Sequence, residues 1–371
     1  MNQQKKSALH VKKGIDPPSK VNEEAIRKLK SKKSASLTLE EYVAGILAGN
    51  RTILSQAITL VESSLPQHKK LAQEIIAECL RHEAQGTRHE GVSSNQQRAT
   101  GIRVGITGIP GVGKSTFIEA LGKHITSFGH KLAVLAIDPS STLSKGSILG
   151  DKTRMEELSV DPNAFIRPSP SAGSLGGVAR KTRETIFLCE AAGYDVIFVE
   201  TVGVGQSETA VKSMVDFFLL LMLPGSGDEL QGIKRGIIEM ADAIIINKAD
   251  GDNLRKAKIA AFDFTSALHL FPPAFNGWMP VVDLCSAKTK QGIPEVWKII
   301  QTFRHTMTQH GHFQRNRMEQ NSRVLHEAVA EALREKFTRD PGIQKKIRKL
   351  EEQVASGTLN PYQAVSKLFY P

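Results

Sequence analysis

The stretch Arg103–Thr116, RVGITGIPGVGKST, decides the fold of this 371-residue chain. Its centre, Gly108–Ser115, fits the pattern G-x-x-x-x-G-K-[ST] of a phosphate-binding loop, with an apolar strand before it and a helix after it. Glycine lets backbone amides turn toward an anion, and the helix presents the positive end of its dipole to the same anion. We expect Lys114 to reach the outer phosphates and the Ser115 hydroxyl to bind Mg²⁺. The residues expected to hold the nucleotide phosphates are Gly108, Ile109, Pro110, Gly111, Val112, Gly113, Lys114, Ser115 and Thr116.

A second motif, AIIINKAD, places Asn247, Lys248 and Asp250 directly after another apolar run. A carboxylate at Asp250 can accept two hydrogen bonds from guanine, from N1–H and from the exocyclic amine. Adenine offers no such pair of donors, and an unpaired buried carboxylate is costly, so the motif favours GTP over ATP. The Lys248 stem can lie along the base.

The CSAK sequence ends the next strand, and its residues Ser286, Ala287 and Lys288 are expected to bring backbone amides to the guanine O6 atom.

Acidic residues end two further apolar runs. Asp138 closes KLAVLAID, and Glu200 closes VIFVE before the glycine-rich TVGVG, where many nucleotide switches carry an Asp. Ligands of a doubly wound sheet lie beyond the carboxyl ends of its strands, so both acids are expected near phosphate and Mg²⁺. Asp151, in GDKTRM, is a third candidate metal ligand, with a surface turn as the alternative. Mg²⁺ usually retains several waters, so one or two of these acids can act through water.

Two long polar segments separate the apolar runs, at Pro139–Gly177 and Leu223–Gly236. Long loops of this composition are usually functional. In the second, Lys234 is a candidate to stabilise transition-state charge as an arginine finger does, with a solvated turn as the alternative. With Lys114, Glu200 and Asp151, it completes the candidate catalytic set.

Apolar strands that alternate with helices predict a parallel sheet covered on both faces. The fold class is therefore α/β, the doubly wound, mostly parallel sheet of a P-loop NTPase, with a helical N-terminal cap and a helical C-terminal arm. We expect a basic flexible tail over residues 1–36, the helical cap over 37–100, the nucleotide-binding domain over 101–311 and the arm over 312–371.

The distribution of charge and the cysteine content indicate the cellular compartment and the kinds of partner to expect. Residues 1–35 hold ten Lys/Arg and three Asp/Glu and so supply +7 of the net charge of +11. We favour a solvated tail there over an arm for nucleic acid, membrane or an acidic partner. The three separate cysteines indicate a reducing compartment and no thiolate metal site. No apolar stretch approaches the roughly 20 residues that span a bilayer, and we expect a cytoplasmic protein without a membrane partner.

As a set, GIPGVGKST, LAIDPSS, FVETVGVGQSE, LPGSGDELQGIKRG and NKAD resemble the MeaB/ArgK/MMAA group of metallochaperone GTPases. The resemblance covers about residues 38–371. It implies GTP/GDP and Mg²⁺ as ligands, and a homodimer built on the C-terminal helices. It also implies hydrolysis that gates adenosylcobalamin loading and protects methylmalonyl-CoA mutase or a related acyl-CoA mutase. Adenosylcobalamin would be met only through that partner enzyme.

The resemblance also implies roles for the three acidic residues and for the second long polar segment. Asp138, Asp151 and Glu200 would line the metal and hydrolytic site. Residues 228–234 would form a switch loop that responds to the partner. Two alternatives stay open: a phosphotransferase of the ArgK type, which would use ATP as donor, and a nucleic-acid-associated GTPase recruited through the basic tail.

Overall fold

The computed structural model describes residues 37–89, 101–138, 155–170, 175–201, 207–225, 235–271 and 276–370. The predicted tail lies outside these ranges.

Seven parallel strands form one sheet in the order β3-β2-β4-β1-β5-β6-β7. The strands are β1 (Ile102–Gly108), β2 (Leu132–Asp138), β3 (Ala164–Pro170), β4 (Val196–Thr201), β5 (Phe217–Met222), β6 (Ala243–Ile246) and β7 (Val281–Leu284). Side chains alternate between the two faces, so Phe198 packs in one core and its neighbours Ile197 and Val199 in the other. The predicted doubly wound P-loop fold is confirmed.

Helices cover both faces of this sheet. They are α1 (Leu39–Leu47), α2 (Arg51–Glu62), α3 (Pro66–His89), α4 (Lys114–Ser127), α5 (Glu156–Ser159), α6 (Leu175–Ala191), α7 (Ser207–Lys212), α8 (Arg235–Met240), α9 (Asn253–Leu268) and α10 (Ile293–Gln309). Helices α4 and α10 pack on one face, whereas α6 and α7 pack on the other together with the N-terminal helices α1–α3. The N-terminal helices thus belong to the same core as the sheet.

The sequence sets the start of α1 through a capping box. The Thr38 hydroxyl accepts from Glu41 N at 3.3 Å, and the Glu41 carboxylate accepts from Thr38 N at 2.8 Å. Thr38 is therefore the residue that caps this helix.

The expectation of one long loop over Pro139–Gly177 is wrong in its second half. This segment contains α5 and the strand β3, AFIRPSP, which pairs only with β2 at the edge of the sheet. Pro168 and Pro170 concealed the strand in the sequence. They are tolerated because an edge strand leaves one row of backbone donors without a sheet partner.

Three further helices complete the chain: α11 (His312–Arg339), α12 (Pro341–Ala355) and α13 (Pro361–Phe369). A charge network fastens the base of α11 to the sheet. Arg317 donates to both oxygens of Asp216, at 3.0 and 2.7 Å, and to Gly101 O at 2.7 Å. Arg103 forms a two-point contact with Glu190, at 2.8 and 2.7 Å. Since Asp216 immediately precedes β5, the arm is tied to the amino ends of the strands.

Among the described residues, no helix combines the length and apolar character needed to cross a bilayer.

Replacing Arg317 by Ala should lower the free energy of unfolding by about 3 kcal/mol, because the buried Asp216 carboxylate then loses the guanidinium that pairs with it. The Asp216 side chain is 1% exposed and that of Arg317 is 15% exposed. Urea denaturation, followed by circular dichroism, measures the change.

The matched control is Arg334→Ala on the same helix. Its partner is Glu331, and both side chains are more than half exposed. We expect a loss below about 1 kcal/mol there. Equal unfolding midpoints for the two variants would refute a structural role for the Arg317 pair.

Candidate nucleotide site

The carboxyl ends of the strands bring the predicted site residues to one edge of the sheet. The phosphate loop follows β1, and the 247–250 motif follows β6. Glu200 lies on β4, in register with Ile106 of β1 and with Ala136 of β2. The crevice expected for a doubly wound sheet is therefore lined by the motifs that the sequence singled out.

Two glycines of the phosphate loop allow its backbone to lie close to neighbouring residues. Gly113 has φ of +92°, and a Cβ there would lie 3.1 Å from Asn247 Nδ2. At Gly108 a Cβ would lie 2.6 Å from Leu221 O on the neighbouring strand β5. These close approaches hold the loop against the sheet while α4 begins at Lys114.

Lys114 points back into its own loop. Its ammonium donates to Gly108 O at 2.9 Å and approaches Ile109 O at 3.5 Å. Burial lowers the pKa of Lys114 from its ordinary value, and the carboxylates of Glu200 and Glu208 oppose that shift. The amine is thus held against the carbonyls of the phosphate loop and is influenced by the charges of two acidic side chains.

Glu208 was missed as a site residue in the sequence. It lies in the first turn of α7, shortly after the glycine-rich sequence that follows β4, and is 2% exposed. Its charge acts on Lys114 along with that of Glu200. The available signal was an acid at the start of a helix that follows a glycine-rich loop, a position easily interpreted as a favourable helix-dipole interaction.

Two buried threonines join the strands on which the phosphate loop and Glu200 are carried. Thr201 Oγ1 donates to Thr107 Oγ1 at 2.8 Å, and both side chains are nearly inaccessible. This bond couples the end of β4 to the end of β1, immediately before Gly108.

Asn247 joins the phosphate loop to the base-reading loops. Its Nδ2 donates to Val112 O at 2.8 Å, and its Oδ1 accepts from Ala287 N at 3.1 Å. The Cys285 thiol also donates to Oδ1, at 3.5 Å. Burial, with the charge of Asp283 second, raises the pKa of Cys285 to about 12, so the sulfur keeps its proton.

Lys248 and Asp250 of the same motif form two further hydrogen bonds to adjacent loops. Lys248, at φ +59°, donates from Nζ to Gly111 O at 2.8 Å. The Asp250 carboxylate accepts from the Ser286 hydroxyl at 2.5 Å, so the acid predicted to contact the base is oriented by the CSAK loop. The phosphate loop and both predicted base-reading segments are thereby brought into one connected site, with Lys288 in the CSAK turn.

The remaining site predictions fall partly beyond what the structure describes. Asp138 ends β2 at the same edge, but its side chain is not described. Asp151, Lys234 and the rest of the 228–234 segment lie outside the described residues. Of the predicted oxygen ligands, Ser115 in the first turn of α4 and Glu200 on β4 are described. A hydroxyl and a carboxylate are the donors that suit Mg²⁺.

The family model of methylmalonyl-CoA mutase-associated GTPase MeaB matches residues 54–342. A mouse relative, methylmalonic aciduria type A homolog, mitochondrial, is 47% identical over 330 residues, which cover 89% of this chain and 78% of the relative. GTPase ArgK of Escherichia coli is 43% identical over 331 residues, 89% of this chain and 96% of that protein.

A solved structure described as an LAO/AO transport system kinase aligns with a TM-score of 0.69 and 37% identity. The alignment covers 90% of this chain and 97% of the other.

Replacing Asp250 by Asn should weaken GTP binding by about 30-fold or more, because the amide presents a donor where guanine also presents one. Xanthosine nucleotides carry an acceptor at that position and should gain affinity. Titration with fluorescent GDP and with xanthosine diphosphate measures both changes.

The matched control is Asp252→Asn, an exposed acid two residues further along, which should leave both affinities unchanged. Unaltered GDP affinity in Asp250→Asn would refute the assignment of Asp250 to the base.

Proposed function

This chain belongs to the family of methylmalonyl-CoA mutase-associated GTPases, and we propose that it acts as a GTP-driven chaperone of methylmalonyl-CoA mutase or a related acyl-CoA mutase. In this role, GTP hydrolysis gates the loading of adenosylcobalamin into the partner and protects the partner from inactivation. The chain meets that cofactor only through its partner. We place the protein in the cytoplasm.

The choice of GTP as the nucleotide rests on how the phosphate subsite and the base subsite are joined. Asn247 bonds to Val112 of the phosphate loop and to Ala287 of the CSAK turn, so the phosphate and base subsites have a fixed separation. The base subsite offers the Asp250 carboxylate, which suits guanine and not adenine. A phosphate loop joined to a base subsite of this kind supports GTP as the substrate.

The roles of the side chains follow from their positions. The amides of the phosphate loop and the N-terminus of α4 bind the phosphates, and Lys114 stabilises negative charge on the outer ones. Ser115 and Glu200 would hold Mg²⁺, which on binding neutralises phosphate charge. Glu208 helps to keep Lys114 protonated, because a nearby carboxylate favours the ammonium form. Asp138, Asp151 and Lys234 remain proposed members of the same site.

A homodimer is the second part of the proposal. On α11 the side chains of Met318, Leu325, Val329 and Leu333 are between 49% and 70% exposed. Their spacing of seven, four and four residues places them along one stripe of the helix. Stacking of Phe337 on Phe369, at 5.2 Å between ring centroids, holds α13 against α11. An exposed apolar stripe of this kind is typical of a protein–protein interface, and a second arm would cover it.

Adding methylmalonyl-CoA mutase should form a complex and raise GTP turnover by on the order of tenfold or more, since partner-supplied groups commonly complete a GTPase site. Size-exclusion chromatography and phosphate release measure the two effects. In the same mixture, GTP should slow the inactivation of the mutase during turnover.

The control for this experiment is Lys114→Ala, which should retain the complex and lose both the stimulation and the protection. Absence of both complex and stimulation with wild-type protein would refute the partner assignment.

Replacing Leu333 by Asp should convert the dimer to a monomer, because a charge in the apolar stripe would be buried without a partner. Arg334→Asp is the matched control, since it places the same carboxylate about 100° around the helix from Leu333. Analytical ultracentrifugation separates the two outcomes. A dimer that persists in Leu333→Asp would contradict the interface.

A phosphotransferase is a second candidate because the 37%-identical solved structure is described as a kinase. It predicts transfer of the γ-phosphoryl group of ATP to a protein, which radiolabelled ATP would detect. The Asp250 carboxylate opposes this candidate, since adenine leaves it unpaired.

A further inference from the structure

A cleft of about 720 Å³ opens at the edge of the sheet opposite the nucleotide site. It lies where the end of α1 meets the turns that precede β2 and β4, and helix α10 closes one side. The volume falls within the range of small-molecule sites, about 300–1,000 Å³. All of the lining residues belong to the described part of the chain, and none belongs to the nucleotide site.

The two carboxylates of this cleft are already engaged. Asp195 accepts from His130 Nδ1 at 2.5 Å and from the backbone amide of Lys131 at 2.7 Å. Glu190 accepts both contacts from Arg103, and Arg317 lies 3.7 Å away. The hydrogen bonds of both acids are therefore directed to groups other than the remaining cations of the lining.

Those remaining cations are Lys131 and Arg304. Across the described ranges, neither side chain has a hydrogen bond or a salt bridge to another side chain. Burial and the charge of Arg317 lower the pKa of Arg304, while Asp195 and Asp216 oppose that shift. A half-buried guanidinium with its donors unused, beside an exposed ammonium, favours an anion between them.

The rest of the lining is apolar, with Leu47, Ala48, Ala192 and the 65%-exposed ring of Phe128. The occupant should therefore carry an apolar or aromatic part as well as negative charge. The chain's own N-terminal segment is an unsuitable occupant, because residues 1–35 carry a net charge of +7.

We propose that this cleft is a second ligand site, independent of the nucleotide, which binds an organic anion. Its phosphate or carboxylate group lies between Lys131 and Arg304, and its apolar part lies against Phe128. The proposal does not depend on the mutase as partner.

The test uses the full chain saturated with GDP and magnesium chloride, so that the nucleotide site is occupied. Phenyl phosphate, inorganic phosphate, phenylacetate and benzyl alcohol are each titrated by isothermal calorimetry. Intrinsic fluorescence gives a second readout, because the Trp297 ring lies 5.6 Å from that of His130 at the cleft. We expect one molecule of phenyl phosphate or phenylacetate per chain, and the stronger of the two identifies the anionic group.

Arg304→Gln and Lys131→Ala should each weaken that binding by about tenfold or more, because each removes a charge-assisted contact. Arg255→Gln and Lys69→Ala are the matched controls, since both are exposed cations that do not line the cleft and should bind as the wild type does. Unchanged GDP affinity in all four variants confirms that the fold is retained.

Three results would overturn the proposal: no saturable binding of either aromatic anion at millimolar concentration, equal binding by the cleft variants and the wild type, or equal binding of neutral benzyl alcohol. Tight binding of inorganic phosphate alone would support the cationic subsite and overturn the apolar one.

Discussion

The buried amide of Asn247 determines how the functional edge of the molecule is organised. Its nitrogen donates to the phosphate loop at Val112, and its oxygen accepts from Ala287. A side-chain amide that is 1% exposed must satisfy both groups within the protein, because each unmet hydrogen bond costs about 1–3 kcal/mol. Satisfying them fixes the distance between the loop predicted to bind phosphate and the loop predicted to read the base. The site is thus formed by internal bonds before a ligand contributes any.

The parallel sheet separates two kinds of charged group by the length of its strands. Lys114, Glu200 and Asp250 lie toward the carboxyl ends, where backbone amides and a helix N-terminus can accept a phosphate. Buried pairs such as Arg317 with Asp216 lie at the amino ends, where they attach the arm. Strands of six or seven residues rise by roughly 20 Å, so the two groups interact weakly through space. Each end can therefore serve a separate purpose in the same domain.

Local sequence signals predicted the elements that local chemistry determines. The phosphate loop needs glycine at Gly113 and is followed by a helix, so a few adjacent residues are enough to predict it. The strand β3 was not predicted because Pro168 and Pro170 oppose strand formation locally, and only its edge position makes them acceptable. The influence of Glu208 on Lys114 arises through the fold, since 94 positions separate them in the sequence and the carboxylate opposes the lowering of the lysine pKa by burial. Arg317 and Asp216 are likewise brought together only by the fold, and the sequence around either residue does not predict the other as its partner.

The short helix α7 connects these two ends of the molecule. It starts beside the nucleotide edge with Glu208 and leads into the segment that contains Ser213, Val215 and Asp216. Arg183 donates to the Ser213 hydroxyl at 2.8 Å, and Gln320 of the arm donates to Val215 O at 2.7 Å. Any displacement of α7 that follows a change at the phosphate edge would therefore reach residues bonded to α11. The path from the nucleotide edge to the arm is therefore only a few hydrogen bonds long, even though the arm is attached at the opposite edge of the sheet.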